Sequence, residues 1–352
     1  MANTTGGAAV AERPADSVWL STLPIPRIGA VSGSARPSTD LLRAVCPAAG
    51  ELVGLPGAVT DLAVSHDGRL LVAAHFGDDA VSVIDVATLS VRSVVSGIAE
   101  PYAVAASDRA YVRSASISED SVVAVDLDTG VPLAAREVGV GARSLAVSRS
   151  GDLVYVARST DDVADIAVVD VETGQISTIV VARESGASVD AIGVNAAGNR
   201  LYAALTTAAG GELMVIDVRS GRVLNTIAVG ASIGDIAVHP DDRRVFVTGW
   251  DAEVGGVLRV IDTGAGRVVH TIEMGGYVPA QVIVTARSAY LADGHEVVVV
   301  DTATARIVER IDMDRPVSAL AVSRDGSCLY VGDYEGGVSA LEVQSAGLRA
   351  AS

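Results

Sequence analysis

Leu62-Ala63-Val64-Ser65 is followed by His66-Asp67-Gly68, a second apolar run at 69–74, and then Val83-Ile84-Asp85. The apolar tetrapeptide returns at 104–107, 145–148, 192–195, 236–239, 282–285 and 320–323. The apolar-apolar-acid tripeptide returns at Asp126, Asp170, Asp217, Asp262, Asp301 and Glu342, so the intervals from Asp85 onward are 41, 44, 47, 45, 39 and 41. Short runs of Val, Ile, Leu and Ala separated by Gly, Asp, Asn and Ser read as strands and turns. A period near 40–45 residues with about four strands in each unit reads as one blade of a radial repeat.

These observations predict an all-β chain, a seven-bladed β-propeller of four-stranded antiparallel blades. In the first unit the inner strand is expected over 59–65, the second over 69–74, a polar loop over 73–80, the third strand over 80–86 and the outer over 91–95. The seventh unit lacks a good outer strand, because 344–352 is polar and small, and 51–55 just before the first inner strand is the expected replacement. A ring closed by an N-terminal strand joining the C-terminal blade removes two unpaired edges. The domain reading is a flexible arm over 1–40, the propeller over 41–347 and a tail over 348–352. Residues 41–45 fit a further strand or a short helix, and Ser17 to Leu23 is the arm's one apolar patch, expected to dock on its own propeller.

The repeat explains two residue preferences without invoking chemistry. Ala63, Ala105, Ala146, Gly193, Ala237 and Ala321 share one inner-strand position, where bulk at every blade would overfill the hub; Ile283 breaks the pattern. The repeated aspartate, two to four residues before Thr129-Gly130 or Thr173-Gly174, is placed to accept hydrogen bonds from the turn that follows it. A ring of metal ligands is the weaker reading, since a site would break the symmetry.

Leu153-Val154-Tyr155-Val156-Ala157, Arg244-Val245-Phe246-Val247-Thr248 and Cys328-Leu329-Tyr330-Val331-Gly332 resemble the YVTN-type (YncE-like) propeller repeat, as do Val138-Gly139, Val229-Gly230 and Gly276-Tyr277-Val278-Pro279 in its V-G-x-x-P position and the run from Val215 to Gly221. The resemblance covers 59–343 and extends to seven-bladed propellers of mycobacteria and related actinobacteria. It implies a stress-associated cytoplasmic protein that supports an inner-membrane complex exporting cell-envelope lipids (mycolates). A WD-repeat propeller would need recurrent Trp-Asp pairs, and Trp250-Asp251 stands alone in a loop reading.

A net charge of −17, from 26 basic and 43 acidic residues, disfavours nucleic acid and anionic lipid as partners. The longest uncharged stretch, Met274 to Ala286, is too short to span a bilayer, so no direct membrane insertion is expected. Cys46 and Cys328 read as free thiols in a reducing compartment, which with the absence of a signal-like N-terminus gives a cytoplasmic address, peripheral to the inner membrane only through a partner. A monomer is expected.

No nucleophile elbow, phosphate loop, dinucleotide fingerprint, C-x-x-C or paired-histidine zinc spacing occurs. What remains is one face, formed by the loops between second and third strands together with the links between blades. These loops carry Asp78, Asp79, Glu119, Asp120, Asp161, Asp162, Asp165, Glu212, Asp251, Glu253, Asp293, Glu296, Asp333 and Glu335, against Arg113 and Arg158. His75, Phe76, Trp250, His295 and Tyr334 accompany them. The expected partner-binding residues are Phe76, Asp78, Asp79, Asp161, Asp162, Trp250, Asp251, Asp293, Asp333 and Tyr334, serving a non-enzymatic scaffold for a protein partner, with no catalytic residue, cofactor or metal. The alternatives are a lactonase- or hydrolase-like propeller enzyme holding Ca or Mg through loop carboxylates, and a small-molecule or sugar binder.

Overall fold

The structure, a computed structural model, describes residues 50–343 except 117 and 231. The expected arm, the Ser17–Leu23 patch, the reading of 41–45 and the C-terminal tail lie outside the described residues.

Seven four-stranded antiparallel sheets are present. Blade one runs Asp61–Val64, Leu70–His75, Ala80–Asp85 and Ser90–Ser96 from the axis outward. Blades two to six follow the same order over 104–139, 142–182, 188–230, 233–273 and 281–312. Blade seven contributes Val317–Val322, Cys328–Asp333 and Val338–Glu342, and its fourth strand is Gly50–Leu52 from the other end of the chain. Gly50 faces Ala340, Glu51 faces Ser339 and Leu52 faces Val338. The closure thus falls where the missing strand predicts it.

Seven apolar clusters fill the seven seams between neighbouring blades. The one that closes the ring joins Val59, Leu62, Leu71 and Ile84 of blade one to Ala319, Tyr330, Val338 and Ala340 of blade seven. Fully burying one such side chain contributes about 1.5–3 kcal/mol, so each seam is held mainly by this apolar contact.

The small inner-strand residue has a direct neighbour that accounts for it. In the ladders Ala105 faces Tyr111, Ala146 faces Tyr155, Gly193 faces Tyr202, Ala237 faces Phe246, Ile283 faces Tyr290 and Ala321 faces Tyr330. Directly opposed residues share one face of a sheet, and all six rings are buried. A small residue beside five of these rings lets the blade meet its neighbour, and Ile283 beside Tyr290 is the exception. At Gly193 a Cβ would come within 3.1 Å of Val238.

Polar side chains close the turns locally. Ser65, Ser148, Asn195 and Ser323 end their tetrapeptides and accept the backbone N–H of Leu70, Leu153, Arg200 and Cys328. His239 does the same through Nδ1, accepting from Asp241 N–H at 3.1 Å, which makes it a turn residue. At the third-strand ends Asp85, Asp126, Asp170, Asp217, Asp262 and Asp301 accept backbone N–H bonds from Thr88, Thr129, Thr173, Ser220, Ala265 and Thr304 at 2.7–3.0 Å. Hydrogen bonds from the hydroxyls and the N–H groups of these turn residues hold the carboxyls of Asp85, Asp126, Asp170, Asp217 and Asp301 below the usual range.

Three expectations change. Strands extend further into the loops than the pattern suggests: His75 ends the second strand, fully buried, with its ring nitrogens on Gly57 O and Ser82 Oγ. Trp250 and Asp251 likewise end a strand, paired with Gly256 and Gly255. Cys328 is disulfide-bonded rather than a free thiol; Cys46 lies outside the described residues. Disulfides persist in oxidising compartments, so one support for the cytoplasmic address is removed.

Candidate functional site

Each inner strand runs away from the face that carries the blade links. The loops between second and third strands open on that same face, called the link face; the turn face lies opposite. Among the described residues five aromatic side chains are exposed, Phe76, Tyr102, Trp250, Tyr277 and Tyr334, and all five lie on the link face. Apart from Trp250 at a strand end, the six aromatics of the second strands are buried. In a chain with 3% aromatic residues, every exposed aromatic ring among the described residues thus lies on one side of the disc.

Three of these rings gather near the seams of blades seven, one and two. Phe76 sits in the short helical turn Phe76–Asp78 and meets Tyr102 edge to face, with ring centres 6.2 Å apart. The Arg113 guanidinium lies 5.7 Å from the Tyr102 ring centre. Tyr334 is near enough for Tyr102 to raise its hydroxyl's pKa electrostatically, although burial is the larger cause. Asp78 and Asp79 border the cluster. Asp79 adopts a left-handed conformation (φ 49°) and accepts the Glu100 N–H at 2.8 Å, tying the loop to the link behind it.

The acids of this face fall into two groups. Asp251 pairs with Arg259 at 2.8 Å, Asp293 and Glu296 with Arg310 at 3.7 and 2.9 Å, and Asp333 and Glu335 with Arg315 at 3.2 and 2.9 Å. Asp120 pairs with Arg113 at 3.7 Å and Asp165 with Arg158 at 2.7 Å. Asp333 also accepts the N–H groups of Glu335 and Gly337, and Glu51 of the closing strand joins Arg315. Burial pushes the Asp293 carboxyl upward, with Arg310 opposing. Asp78, Asp79, Asp161 and Asp162 are exposed and, among the described residues, lie in no ion pair. The exposed Glu119 of blade two and Glu253 of blade five likewise lie in no ion pair among the described residues, so the available negative charge is spread over blades one, two, three and five. Arg259, Arg310 and Arg315 escape a loop-by-loop reading because they reach in from strands and a link.

At the axis the same face opens into a cavity of about 620 Å³. Its polar lining comes from the first residues of the inner strands: Asp61, Arg143, Asp190, Asp235, Gln281 and Ser318, with Tyr102 and Tyr334 at the rim. A register shift marks this point in blades three, four, five and seven, between Ala142 and Ser144, Val189 and Ala191, Ile233 and Ile236, and Val317 and Ala319. A bulge leaves the extra residue unpaired and re-aims its side chain. Here it turns Arg143, Asp190, Asp235 and Ser318 toward the cavity.

Some of this polarity joins blades. Asp61 accepts the Val104 N–H at 2.8 Å, Asp235 accepts Val282 N–H at 2.9 Å and Gln281 accepts Leu320 N–H at 2.5 Å, each bridging to the next inner strand. Gln281 also donates to Asp61 at 3.2 Å. Asp190 is satisfied by Ser188 and Thr206, with Arg143 at 3.8 Å. Among the described residues no cation pairs with Asp61 or Asp235. Burial pushes Asp61 up to about 7, and the charge on Asp235 adds to that push. Burial pushes Asp235 up to about 6. Of these lining residues only Tyr334 is a candidate from the sequence. The signal was present just before each apolar tetrapeptide, where the chain reads Asp61, Ala103, Ser144, Ala191, Asp235, Gln281 and Ala319.

Among the described residues no group of three or more His, Cys, Asp or Glu converges as a metal site. No described helix is long and apolar enough to cross a membrane.

No family model matches the chain. It is 29% identical over 326 residues to the seven-bladed beta-propeller protein Rv1057 of Mycobacterium tuberculosis, covering 82% of this chain and 83% of that protein. It superposes on a chain of hydrazine synthase from Kuenenia stuttgartiensis with a TM-score of 0.74 at 20% identity, covering 90% of this chain and all of that one. The chain is a seven-bladed β-propeller. At 20% identity the second likeness speaks to architecture alone.

Proposed function

We propose that this propeller is a non-catalytic scaffold that docks a protein partner on the link face, in the sector of blades seven, one, two and three. The observation that carries the reading is the confinement of every exposed aromatic ring, among the described residues, to that face. Interfaces are enriched in aromatics at their centre and carry polar residues at the rim. Phe76, Tyr102 and Tyr334 form such a centre, and Asp78, Asp79, Asp161 and Asp162 supply a rim without paired cations. The fitting partner segment is one bearing Lys or Arg beside apolar side chains.

Trp250 extends the surface, while Asp251, Asp293 and Asp333 act chiefly as anchors for the arginines that shape the loops. The finer expectation, of a YVTN-type propeller serving inner-membrane machinery that exports mycolates under stress, rests on the resemblance of the repeats.

The test is affinity capture with the native chain, with Asp78→Lys/Asp79→Lys, and with Asp128→Lys/Glu172→Lys on the turn face. The scaffold reading expects the first variant to lose the captured partner and the second to keep it. Equal recovery from all three would remove the link face from consideration.

A further inference from the structure

Three polar side chains that line the axial cavity take no part in the docking sector. Asp61 and Asp235 project into it, and among the described residues neither pairs with a cation. Ser318 stands at the bulge of blade seven, 8% exposed, and its hydroxyl has no hydrogen-bond partner. Its neighbours Val317 and Ala319 do not line the cavity, whereas Ser318 does. Buried hydroxyls are rarely left unsatisfied, and an orphan facing a polar cavity marks a position where a bound group completes the set.

A hydroxyl can accept as well as donate, and a cationic donor suits a lining of this charge. The remaining charged groups facing Asp61 and Asp235 are Arg143 and Asp190, which pair with each other, and the phenols of Tyr102 and Tyr334 at the rim. The residual charge of the lining is therefore that of two carboxyls. A primary ammonium has three donors and no acceptor, which suits Asp61, Asp235 and the Ser318 Oγ. Aromatic rings at the mouth attract a cation on its way in. The overall charge of −17 favours the same sign.

We propose that the link-face mouth of the channel is a binding site for one aliphatic primary ammonium group, held between Asp61 and Asp235 with Ser318 as the third acceptor. The bulges are what make the site. They bring side chains to the axis that a regular ladder would leave pointing elsewhere, and blades without one supply Asp61 and Gln281. The bridge to Val282 takes Asp235 Oδ2, while Asp61 accepts Val104 N–H on Oδ2 and Leu62 N–H and Gln281 on Oδ1, so three bonds fix the Asp61 carboxylate and one lone-pair direction remains for the ligand. Gln281, bonded to Asp61 and to the Leu320 N–H, positions the first carboxylate.

A carboxyl that is protonated when empty and ionised when occupied releases its proton on binding. Affinity for an amine should therefore rise as pH increases through the range of these two groups, by about tenfold per pH unit for each proton released, and flatten above it.

Calorimetric titration of the purified full chain tests this, with cadaverine as a free amine, an amidated lysine-bearing peptide as the form a partner would present, and xylitol as an uncharged control. Saturable binding of cadaverine or of the peptide supports the site, and the two arms separate a metabolite-like amine from a partner's side chain. Asp61→Asn and Asp235→Asn, which keep an acceptor for the blade bridges, should each weaken binding at least tenfold; Ser318→Ala should weaken it several-fold. Xylitol binding with no response to either amine would overturn the proposal, as would amine binding that is indifferent to pH or to both Asn substitutions. The docking reading stands or falls separately, because Asp78→Lys/Asp79→Lys leaves the channel lining untouched.

Discussion

Ala146 stands directly opposite Tyr155 in the blade-three ladder, and the buried Tyr155 hydroxyl has no hydrogen-bond partner. Ring and methyl together fill a seam that has no spare room. Ala146→Leu should therefore lower stability by about 1–3 kcal/mol through overpacking. Tyr155→Phe removes an unsatisfied polar atom and keeps the ring, so it should be neutral or stabilising. Chemical denaturation of the two variants distinguishes them by sign.

The hub carboxyls set the alkaline side of the stability curve. Asp61 and Asp235 have folded-state pKa values raised to about 7 and about 6, so the folded chain binds more protons than the unfolded one above pH 4 or so. Stability from these groups is complete below the unfolded pKa and is lost as pH rises through the folded values. Asp61→Asn should raise the melting temperature at pH 8 by about 2 °C or more and change it far less at pH 5. A larger gain at pH 5 would contradict the assignment.

The turn aspartates act on the acid side with the opposite sign. Asp325 is held at about 2 by Ser323 and Ser327, and Asp301 is lowered by Thr304. Their contribution is present above the unfolded pKa and disappears as pH falls through the folded one. Asp301→Ala should cost roughly 1 kcal/mol at pH 7 and much less below pH 3, as read from melts at the two pH values.

The disulfide at Cys328 has a direct chemical test. Cys328 is disulfide-bonded, so intact-mass measurement after alkylation of the unreduced, denatured chain should show no thiol labelled. Reduction should lower the melting temperature, since removing a native disulfide typically costs about 2–5 kcal/mol. A chain that labels fully before reduction would return the free-thiol reading.

The sequence discloses the blade count, the strand order and the closing strand because these depend on features repeated seven times, such as Leu62-Ala63-Val64-Ser65 and the turn-capping Asp85. The link face is also legible, since strand direction fixes which loops share a side. Two things are not. Arg259, Arg310 and Arg315 pair with acids distant in sequence, and only the folded register brings them together. The channel lining depends on bulges at Arg143, Asp190, Asp235 and Ser318, and a one-residue shift that redirects a side chain leaves little trace in an apolar pattern. The row Asp61, Ala103, Ser144, Ala191, Asp235, Gln281 and Ala319 is where the repeat loses its uniformity, and that loss was the available clue.

The most direct measurement of the central claim, that function resides on the link face, is photo-crosslinking in cells that express the protein. A photoreactive side chain replaces Tyr102 or Tyr334 on the link face, or Asp128 or Glu172 on the turn face. The account predicts discrete adducts with one partner from the first pair and none from the second. Adducts from Asp128 or Glu172 alone would contradict it.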